Sequence, residues 1–345
     1  MRYDRWRAGK DVTELNGFTL EARTNTTLSF VDATRTFTIS PVSGGFSFYV
    51  EGLRYTKATS DSVVIDDTEG EVVIYYDGPA LTALSNPTAG NIDTIIRTKC
   101  IVAILYWDAT NNVSITPILD ERHGAVMDGV THSYLHFSRG AQYISGFDPD
   151  DIVADGDGSS NTHAQFSVDV GMIADEDLTS TSSAITSTTG YDIYYLLGAN
   201  GDLRKLNKAG FPVIDDTTAS AGTTTGRIVY NQFTGGAWQL TAVTNNDFVL
   251  CHVFAINSDD ASKEVMVVMG QAEYATIVAA RAGANTEIYN LRVALALPEI
   301  VPLYTFIFET KDSFSNDVKA VIRTDGDGNE YTDWRIDRDS VISSV

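Results

Sequence analysis

Three of the five histidines lie close together in the sequence, at His123, His132 and His136. If this segment is helical, His132 and His136 are about one turn apart and share a face. Together with Asp128 or His123 they could bind a metal ion, because imidazoles and carboxylates are common metal ligands. Larger apolar residues recur at helical spacing in the same segment: Val126, Val130, Tyr134 and Phe137. Since these would occupy the buried face, we expect the histidines to face solvent or an interface, and we predict no metal site.

Two acid-rich segments, "DPDDIVADGDG" and "TDGDGNEYTD", have the oxygen-rich composition of calcium loops. The second resembles the start of an EF-hand loop through Asp325, Asp327, Asn329 and Asp333. However, Glu330 stands where that loop needs glycine, and Ile336 stands where it needs its last acidic ligand. The segment therefore predicts a polar hairpin turn, in which Asp-Gly pairs form the turn.

The first acid-rich segment brings four carboxylates close together in sequence: Asp150, Asp151, Asp155 and Asp157. Crowded carboxylates can bind calcium, but a solvated loop is the better interpretation of this composition. We predict the loop, and no bound cofactor.

Motifs that would identify an enzyme are missing from the sequence. It contains no serine nucleophile elbow, Walker loop, dinucleotide-binding glycine motif, HExxH or CxxC. A carboxylate pair for glycoside hydrolysis could exist in so acidic a chain, but nothing in the sequence selects one pair. We therefore predict a protein that is not an enzyme, with no catalytic or cofactor-binding residues.

The charge of the chain limits its partners. The 345 residues include 24 Lys and Arg against 46 Asp and Glu, which gives a net charge of −22. Such a chain repels phosphate, which disfavours a direct role in binding nucleic acid. With 43% hydrophobic residues, the chain has the composition of a globular protein.

Cys100 and Cys251 both lie in apolar, strand-like segments, which favours buried free thiols over a disulfide. No signal peptide is visible at the N-terminus. The longest apolar stretch, "IVAILYW", has the length of a strand and is too short to span a membrane. We expect a protein that is made in the cytoplasm and is not inserted in a membrane.

The elements that must position these residues are mainly β-strands. Period-two patterns such as "FSFYVEGLRYTK" and turn residues at short intervals predict two antiparallel β-sandwich or barrel-like domains. Glu51-Gly52 and the segment 68–70 are predicted hairpin turns. We divide the chain into an N-terminal arm (1–16), a β-rich domain (17–90), a connector with a strand pair and a short helix (91–165), and a second β-rich domain (166–345).

One segment, "GQAEYATIVAARAGANTEI", is strongly helical and predicts a helix near 271–291 that covers the second sheet. Gly270 is its expected N-cap, and Gly283 is expected to weaken it. The predicted buried stripe consists of Tyr274, Ile277, Val278, Ile288 and Leu291, with Glu273, Arg281 and Glu287 away from it. Alanines would give this helix further small-residue surfaces, which allow close approach of either a sheet of the same chain or a neighbouring subunit: Ala275, Ala279, Ala280, Ala282 and Ala284.

Stretches along nearly the whole chain resemble, in the same order, a group of structural proteins of tailed-bacteriophage virions. They include "FTISPVSGGFSFYVEGLRYTK", "DERHG", "THSYLHFSRGAQY", "NQFTGGAWQL" and the terminal "YTDWR". The resemblance implies a fibre-like appendage protein of the tail or capsid, located in the virion after assembly in the host cytoplasm. It carries no active-site residues over to this chain.

The partners that the resemblance implies are other virion proteins and further copies of the chain, as a homo-oligomer such as a trimer. A host-surface glycan or receptor is a further expected partner. The N-terminal arm is a predicted docking segment, because Arg2, Arg5, Arg7 and Lys10 surround Trp6 in an otherwise acidic protein. Two alternatives from other classes remain: a carbohydrate-binding adhesin module, and a glycosidase that depolymerises polysaccharide.

Overall fold

The structure is a computed structural model that describes residues 15–219, 221–295, 297 and 299–335. The chain forms two compact units. The first contains the residues up to Ala141 together with 174–179 and 258–260, and the second contains 142–173, 180–257 and the residues from Ala261 onward. Of the predicted connector, residues 91–141 thus belong to the first unit and 142–165 to the second. The predicted docking arm lies almost wholly outside the described residues.

The first unit has eleven strands among its described residues: β1 (Gly17–Phe18), β2 (Thr26–Val31), β3 (Thr36–Pro41), β4 (Phe46–Val50), β5 (Leu53–Lys57), β6 (Asp61–Val64), β7 (Gly70–Asp77), β8 (Ala80–Ser85), β9 (Cys100–Asp108), β10 (Val113–Ser114) and β11 (Leu119–Asp120). Its described helices are α1 (Leu20–Thr24), α2 (Ala89–Thr98) and α3 (Gly129–Ser138), with a short 3-10 helix at Asp32–Thr34.

Three sheets share the core of the first unit. Two are three-stranded, in the orders β1-β4-β5 and β2-β3-β6, and the third runs β10-β9-β7-β8 with β11 also paired to β9. Aromatic rings from different sheets meet in the core, where Phe48 of β4 stacks on Tyr76 of β7 at 3.8 Å between ring centroids. Burying such large rings away from water is the main source of stability for a unit of this kind.

The two predicted hairpin turns of this unit have different outcomes. Glu51 and Gly52 do connect β4 to β5 as a two-residue loop, and both have the positive φ that this tight turn requires (50° and 73°). The hairpin predicted around 68–70 is wrong. Its first strand, β6, pairs with β3, whereas β7 pairs with β8 and β9. The local pattern identified both strands but not their partners.

The second unit contains the remaining strands: β12 (Gln142–Gly146), β13 (Pro149–Asp150), β14 (Ser167–Val168), β15 (Gly171–Asp175), β16 (Leu178–Thr181), β17 (Tyr191–Leu197), β18 (Asp202–Lys208), β19 (Val229–Thr234), β20 (Ala237–Ala242), β21 (Phe248–Ile256), β22 (Val265–Tyr274), β23 (Ile300–Thr310), β24 (Ala320–Arg323) and β25 (Thr332–Asp333). Residues 174–179, which comprise the end of β15, the turn and the start of β16, belong to the first unit. The helices are α4 (Asp216–Ala219) and α5 (Ile277–Ala294), with 3-10 helices at Asn161–Ala164 and Ala261–Lys263.

A seven-stranded sheet forms the centre of the second unit, in the order β18-β17-β22-β21-β23-β24 with β25 also paired to β23. The pairs are antiparallel except that β17 and β22 run parallel. Helix α5 packs on β21, β22 and β23. The prediction of a mainly β protein with a helix covering a sheet of the second domain is therefore confirmed.

The details predicted for this helix need correction. Gly270 lies within β22, and the N-cap of α5 is Thr276, whose Oγ1 accepts a hydrogen bond from the N–H of Ala279 at 3.2 Å. The buried face consists of Ala280, Ala284, Glu287, Ile288 and Leu291. Val278, expected in the stripe, is 71% exposed. The helix fits closely on its sheet through alanines, whose small side chains permit that approach, while Ala279 and Ala282 are exposed.

Cys100 and Cys251 are both buried free thiols, as predicted. Burial raises the pKa of each thiol above its ordinary value. Among the described helices, none is long and apolar enough to cross a membrane.

Candidate metal centre

Helix α3 carries two of the histidines and begins at a well-formed cap. Asp128 accepts hydrogen bonds from the backbone N–H groups of Val130 and Thr131 at 3.0 and 3.1 Å, which satisfies donors that the first turn leaves unpaired. Gly129 lies against α2, where a Cβ would be 2.5 Å from the carbonyl oxygen of Arg97. Glycine therefore permits the close approach of the two helices in the first unit.

The face of α3 that is buried is the polar one. His132, Ser133 and His136 are 2 to 6% exposed. The apolar residues expected to be buried are instead exposed, by 43 to 66%: Val126, Val130, Tyr134 and Phe137. The expectation that the histidines face solvent or an interface is therefore wrong, because they are buried within the chain itself. An apolar stripe normally marks the buried face of a helix, and here it marks the outer face.

The third histidine is placed by strands of the first unit. The backbone N–H of Glu121 donates to the carbonyl of Val102 on β9, so the chain leaves β11 alongside that strand. Phe18 of β1 then donates to the carbonyl of His123 at 2.8 Å. Gly17, at φ 113°, lies so close that a Cβ would be 2.7 Å from this same oxygen. The side chains of Glu121 and His123 are consequently fixed and almost completely buried.

The carboxylates of the cluster also come from the turn between β15 and β16. Asp175, Glu176 and Asp177 are consecutive there, and Glu176 has a φ of 43°. This left-handed conformation is uncommon for a residue other than glycine and is strained by about 1 kcal/mol. The turn nevertheless holds a glutamate, whose side chain is only 1% exposed. Strain of this kind is often found where the side chain has a function.

The ring nitrogens and carboxylate oxygens of these elements converge. Nε2 of His123 lies 3.3 Å from Oε2 of Glu121, 3.3 Å from Oε2 of Glu176 and 3.8 Å from Oδ2 of Asp175. Nε2 of His132 is 3.8 Å from Oε2 of Glu176, and the rings of His123 and His132 are 4.5 Å apart. Nδ1 of His136 is 3.9 Å from the other oxygen of Glu176. Together they form a compact group of possible metal ligands, which we call the His123 cluster.

Asp177 holds the ring of His123 from the other side. Its Oδ1 lies 2.9 Å from Nδ1 of His123, and its Oδ2 accepts hydrogen bonds from the N–H of Gly124 at 3.0 Å and from Arg23 at 2.9 Å. A carboxylate in this position favours a proton on Nδ1, so Nε2, which faces the carboxylates of the cluster, is the nitrogen that a bound ion would use.

Burial and charge determine the protonation of the cluster. Burial, reinforced by Asp175, raises the pKa of Glu176 to about 8, and burial, reinforced by Glu121, raises the pKa of Glu71 on β7 to about 7. Burial and the nearby His123 lower the pKa of His132 to about 2. Burial alone would also lower the pKa of His123, but the hydrogen bond to Asp177 and the other carboxylates hold it well above its ordinary value. His132 is thus a neutral imidazole, the form that binds metals.

Several polar atoms of the cluster lack a hydrogen-bond partner within the part of the chain that the structure describes. They are both carboxylate oxygens of Glu121 and of Glu176, and the Nε2 atoms of His123 and His132. Buried polar atoms are nearly always paired, and an uncompensated buried charge destabilises a protein by about 3–5 kcal/mol. Two groups of three residues have ligand atoms within 4.8 Å of one another: His123, His132 and Glu176, and Glu121, His123 and Asp175.

The predicted calcium-like loops do not join such a group in the described residues. Asp325 accepts hydrogen bonds from the N–H groups of Asp327 and Asn329 at 2.9 and 3.1 Å, and Arg281 pairs with Asp325 and Asp327. In the other loop, Asp157 accepts from Ser159, and Asp155 from Thr324. Both segments use their carboxylates to form turns and to join neighbouring segments. The polar turn predicted for the second segment is present, but the predicted hairpin is wrong, because β24 and β25 on either side of the turn both pair with β23.

The sequence pattern indicated His123, His132 and His136 as possible ligands, but it did not indicate Glu71, Glu121 or the segment 175–177. The one local signal was the pair Glu121-x-His123, two ligand types one residue apart. No local pattern connects these positions with the β15–β16 turn. Asp177 of that turn, which contacts Nδ1 of His123, lies 54 residues after it in the sequence. Comparison with family models, with curated proteins and with solved structures found no match to this chain.

Proposed function

We propose that the chain is a non-enzymatic structural component of a tailed-bacteriophage virion, in an appendage of the tail or capsid, and that it acts through assembly contacts with further copies of itself. The resemblance described above supports the virion. The observation that supports assembly contacts is the outer face of α3. Val130, Tyr134 and Phe137 lie on one side of this helix and are exposed by 43, 66 and 54%.

An exposed apolar face of this kind is suited to a protein-protein interface, because association removes it from water. Aromatic side chains are enriched in the centres of such interfaces. The carboxylates on the opposite face of α3, in the His123 cluster, are buried and so out of reach of a polysaccharide. This favours assembly over glycoside hydrolysis, which needs an accessible pair of carboxyl groups.

Replacing Tyr134 and Phe137 with serine tests the proposal. We expect the double variant to have a smaller mass by light scattering than the wild-type oligomer and to be incorporated less into particles. The control is Val31→Ser with Val42→Ser, which removes similarly exposed apolar side chains (52 and 64%) away from both α3 and α5. A double variant of α3 that keeps the wild-type mass and copy number in particles contradicts the proposed contact.

Whether the chain belongs to a virion at all is tested separately. An electron-microscopy reconstruction of the particle, with mass spectrometry of its proteins, should find the chain in a fixed number of copies. Particles that lack the chain would contradict the virion role, whatever the outcome for α3.

A second candidate function, glycan binding, is favoured by the β19–β20 hairpin of the second unit. Phe233 is 55% exposed there and packs against Trp238, with ring centroids 5.4 Å apart. A pocket of about 360 Å³ lies beside the same hairpin and is lined in part by Tyr195, Gln239 and Thr241. Aromatic rings next to hydrogen-bonding side chains are the usual composition of a small-ligand site.

Titration with host-surface polysaccharide fragments tests this second candidate. Binding that is lost in Trp238→Ala but retained in the Tyr134→Ser, Phe137→Ser variant would support a glycan site on the hairpin. If neither the wild type nor the α3 variant binds these fragments, glycan recognition by this hairpin is contradicted.

A further inference from the structure

We propose that the first unit binds one divalent ion of a first-row transition metal in the His123 cluster. The proposed ligands are Nε2 of His123, Nε2 of His132 and the carboxylate of Glu176, whose ligand atoms lie within 4.8 Å of one another. Glu121, which forms a second such group with His123 and Asp175, is the proposed fourth ligand. The proposal does not depend on the virion role, because it rests on the partners and positions of these atoms alone.

The first argument is that buried carboxylate oxygens of the cluster lack hydrogen-bond partners. Glu121 is fully buried and neither of its oxygens has a hydrogen-bond partner among the described residues. The same holds for both oxygens of Glu176, whose side chain is 1% exposed. A divalent cation would compensate two buried carboxylates at once and would use the lone pairs that no protein donor uses.

The second argument is the spacing. Ligands bound to one ion at about 2.0–2.2 Å lie roughly 3–4 Å from one another. The distances from Nε2 of His123 to Glu121 and Glu176, both 3.3 Å, and from Nε2 of His132 to Glu176, 3.8 Å, fall in that range. Asp175, with Oδ2 at 3.8 Å from His123, is close enough to complete the shell after a small movement.

The third argument is the orientation of His123. Histidines that bind metals usually donate their other ring N–H to a carboxylate, which fixes the tautomer and makes the ring a stronger ligand. Asp177 occupies this position, and Arg23 and the backbone of Gly124 hold Asp177 in turn. The arrangement directs Nε2 into the cluster, where carboxylate oxygens of Glu121, Glu176 and Asp175 lie 3.3 to 3.8 Å away.

The donor types indicate the class of metal. Two imidazoles with carboxylates suit Zn²⁺, Mn²⁺, Fe²⁺ or Co²⁺, whereas Ca²⁺ and Mg²⁺ prefer oxygen ligands alone. The cluster contains no thiolate, since Cys100, the cysteine of the first unit, lies in the hydrophobic core. The cluster is also buried, so we assign the ion to stabilisation of the fold and not to catalysis.

A different arrangement of the same residues is a set of buried carboxylic acids that share protons with the histidines. In that case the cluster would be stable without metal, and replacing a glutamate by glutamine would leave stability unchanged or raise it. The experiment must therefore measure metal content and thermal stability together.

The test uses the full chain, purified without a histidine tag from cells grown with added transition metals. Elemental analysis by mass spectrometry should find about one transition-metal ion per chain. A chelator should lower the melting temperature, and Zn²⁺ or Mn²⁺ should restore it, while Ca²⁺ and Mg²⁺ should not. A chain that carries no transition metal above the buffer level, and whose melting temperature neither chelator nor these ions change, overturns the proposal.

Variants show whether the ion binds at these residues. Glu121→Gln and His132→Gln should lower the affinity for Zn²⁺ by at least about ten-fold. Asp177→Asn, which changes only the support of His123, should also weaken binding by about ten-fold or more while the chain stays folded. The matched control is His252→Gln, a buried histidine of the second unit, which should keep the wild-type metal content. Retention of full affinity in both ligand variants, or equal loss in the control, contradicts this assignment.

Discussion

Each unit of the protein buries histidine next to glutamate, but the two clusters differ in their hydrogen bonds. In the second unit, Nδ1 of His252 contacts Oγ1 of Thr305 at 2.8 Å, and Nε2 contacts Oε2 of Glu287 at 3.1 Å. Glu287 also accepts hydrogen bonds from the hydroxyl of Tyr274 and the N–H of Gln271, both at 2.6 Å. Every nitrogen of this imidazole and every oxygen of this carboxylate has a partner.

In the His123 cluster of the first unit, by contrast, six nitrogen and oxygen atoms of four residues have none among the described residues. Burial and residue type are the same in both places, so neither distinguishes a ligand site from a structural network. The distinguishing feature is whether the protein itself satisfies the buried atoms. We therefore interpret the His252 network as structural and the His123 cluster as a site that needs an ion.

Among the substitutions that test this difference between the two units, Glu287→Ala is expected to lower the free energy of unfolding the most. The substitution leaves His252, the Tyr274 hydroxyl and the N–H of Gln271 without their shared acceptor. We expect a loss of about 3–5 kcal/mol in the free energy of unfolding, as for other buried charged groups whose partner is removed. Chemical denaturation with and without Zn²⁺ measures it.

Because this network is complete without an ion, Zn²⁺ should not restore the lost stability of Glu287→Ala. Glu287→Gln is the matched control, since it keeps one acceptor and should lose less. A loss below about 1 kcal/mol in Glu287→Ala would mean that the network is not an important source of stability.

The second prediction concerns the glycine that lets this network form. A Cβ at Gly283 of α5 would lie 2.1 Å from the hydroxyl of Tyr274, so alanine must displace the ring that donates to Glu287. We expect Gly283→Ala to destabilise by about 1–3 kcal/mol, although alanine normally stabilises a helix. Thermal unfolding of Gly283→Ala measures this loss.

Gly90 in α2 provides the control for Gly283, since the nearest atom to a Cβ there is 3.8 Å away. Gly90→Ala should be neutral or slightly stabilising. In a Tyr274→Ala background the cost of Gly283→Ala should largely disappear. An equal cost in both backgrounds would show that the conflict is not with Tyr274.

How much could be predicted from the sequence depends on whether the information is local. The β4–β5 hairpin was predicted because Glu51-Gly52 and the alternating strands lie within one short segment. The pairing of β6 with β3 was not, because strand propensity does not identify a distant partner. The start of α5 was misplaced for a related reason. The segment up to Tyr274 extends the central sheet as β22, and tertiary pairing there overrides the local helical pattern.

The His123 cluster illustrates the same limit for a site. Its histidines were indicated by the sequence, but His132 and His136 were assigned to the exposed face of α3, because apolar residues were assumed to occupy the buried face. Its carboxylates come from the segment after β11 and from the β15–β16 turn, so only the folded chain brings them together. An amphipathic helix normally buries its apolar face, and departures from this rule are expected mainly at functional sites.

The third prediction compares carboxylates, whose pKa values move in opposite directions in the two regions. Asp215 of the second unit pairs with Lys208 at 2.5 Å and accepts hydrogen bonds from the N–H groups of Thr217 and Thr218 at 3.1 and 2.9 Å. Burial opposes the shift, but these partners hold the pKa of Asp215 well below its ordinary value. The pKa of Glu176, without such partners, is raised to about 8.

Because the pKa of Asp215 is lower in the folded than in the unfolded state, its contribution is complete above about pH 4 and is lost as the pH falls further. We expect Asp215→Asn to lose about 1–2 kcal/mol at pH 7, and we expect this loss to shrink steadily as the pH falls below about 4 towards the lowered pKa of Asp215. Denaturation curves of both proteins across this range measure the difference. A gap between them that stays constant down to low pH would contradict the assigned pairing.

The smallest effect is expected from removing the N-cap of α3. This substitution tests the stability of the helix independently of metal binding. Asp128 satisfies two backbone N–H groups at the start of the helix that carries His132. Its carboxylate is not among the proposed ligands. Asp128→Ala should therefore destabilise the chain by about 1 kcal/mol, the usual effect of removing an N-cap. Asp128→Ser, which retains a capping oxygen, should recover most of this loss.

The metal content of Asp128→Ala should stay at the wild-type level, because the strands and the β15–β16 turn still hold Glu121, His123 and Glu176 in place. Measuring the melting temperature and the bound metal on the same samples distinguishes the two contributions. If Asp128→Ala loses the ion as well as the cap, the metal site depends on the first turn of α3. The main ligands would then lie on α3 and not in the β15–β16 turn. Retention of the ion with a lower melting temperature is the result that the geometry of the His123 cluster requires.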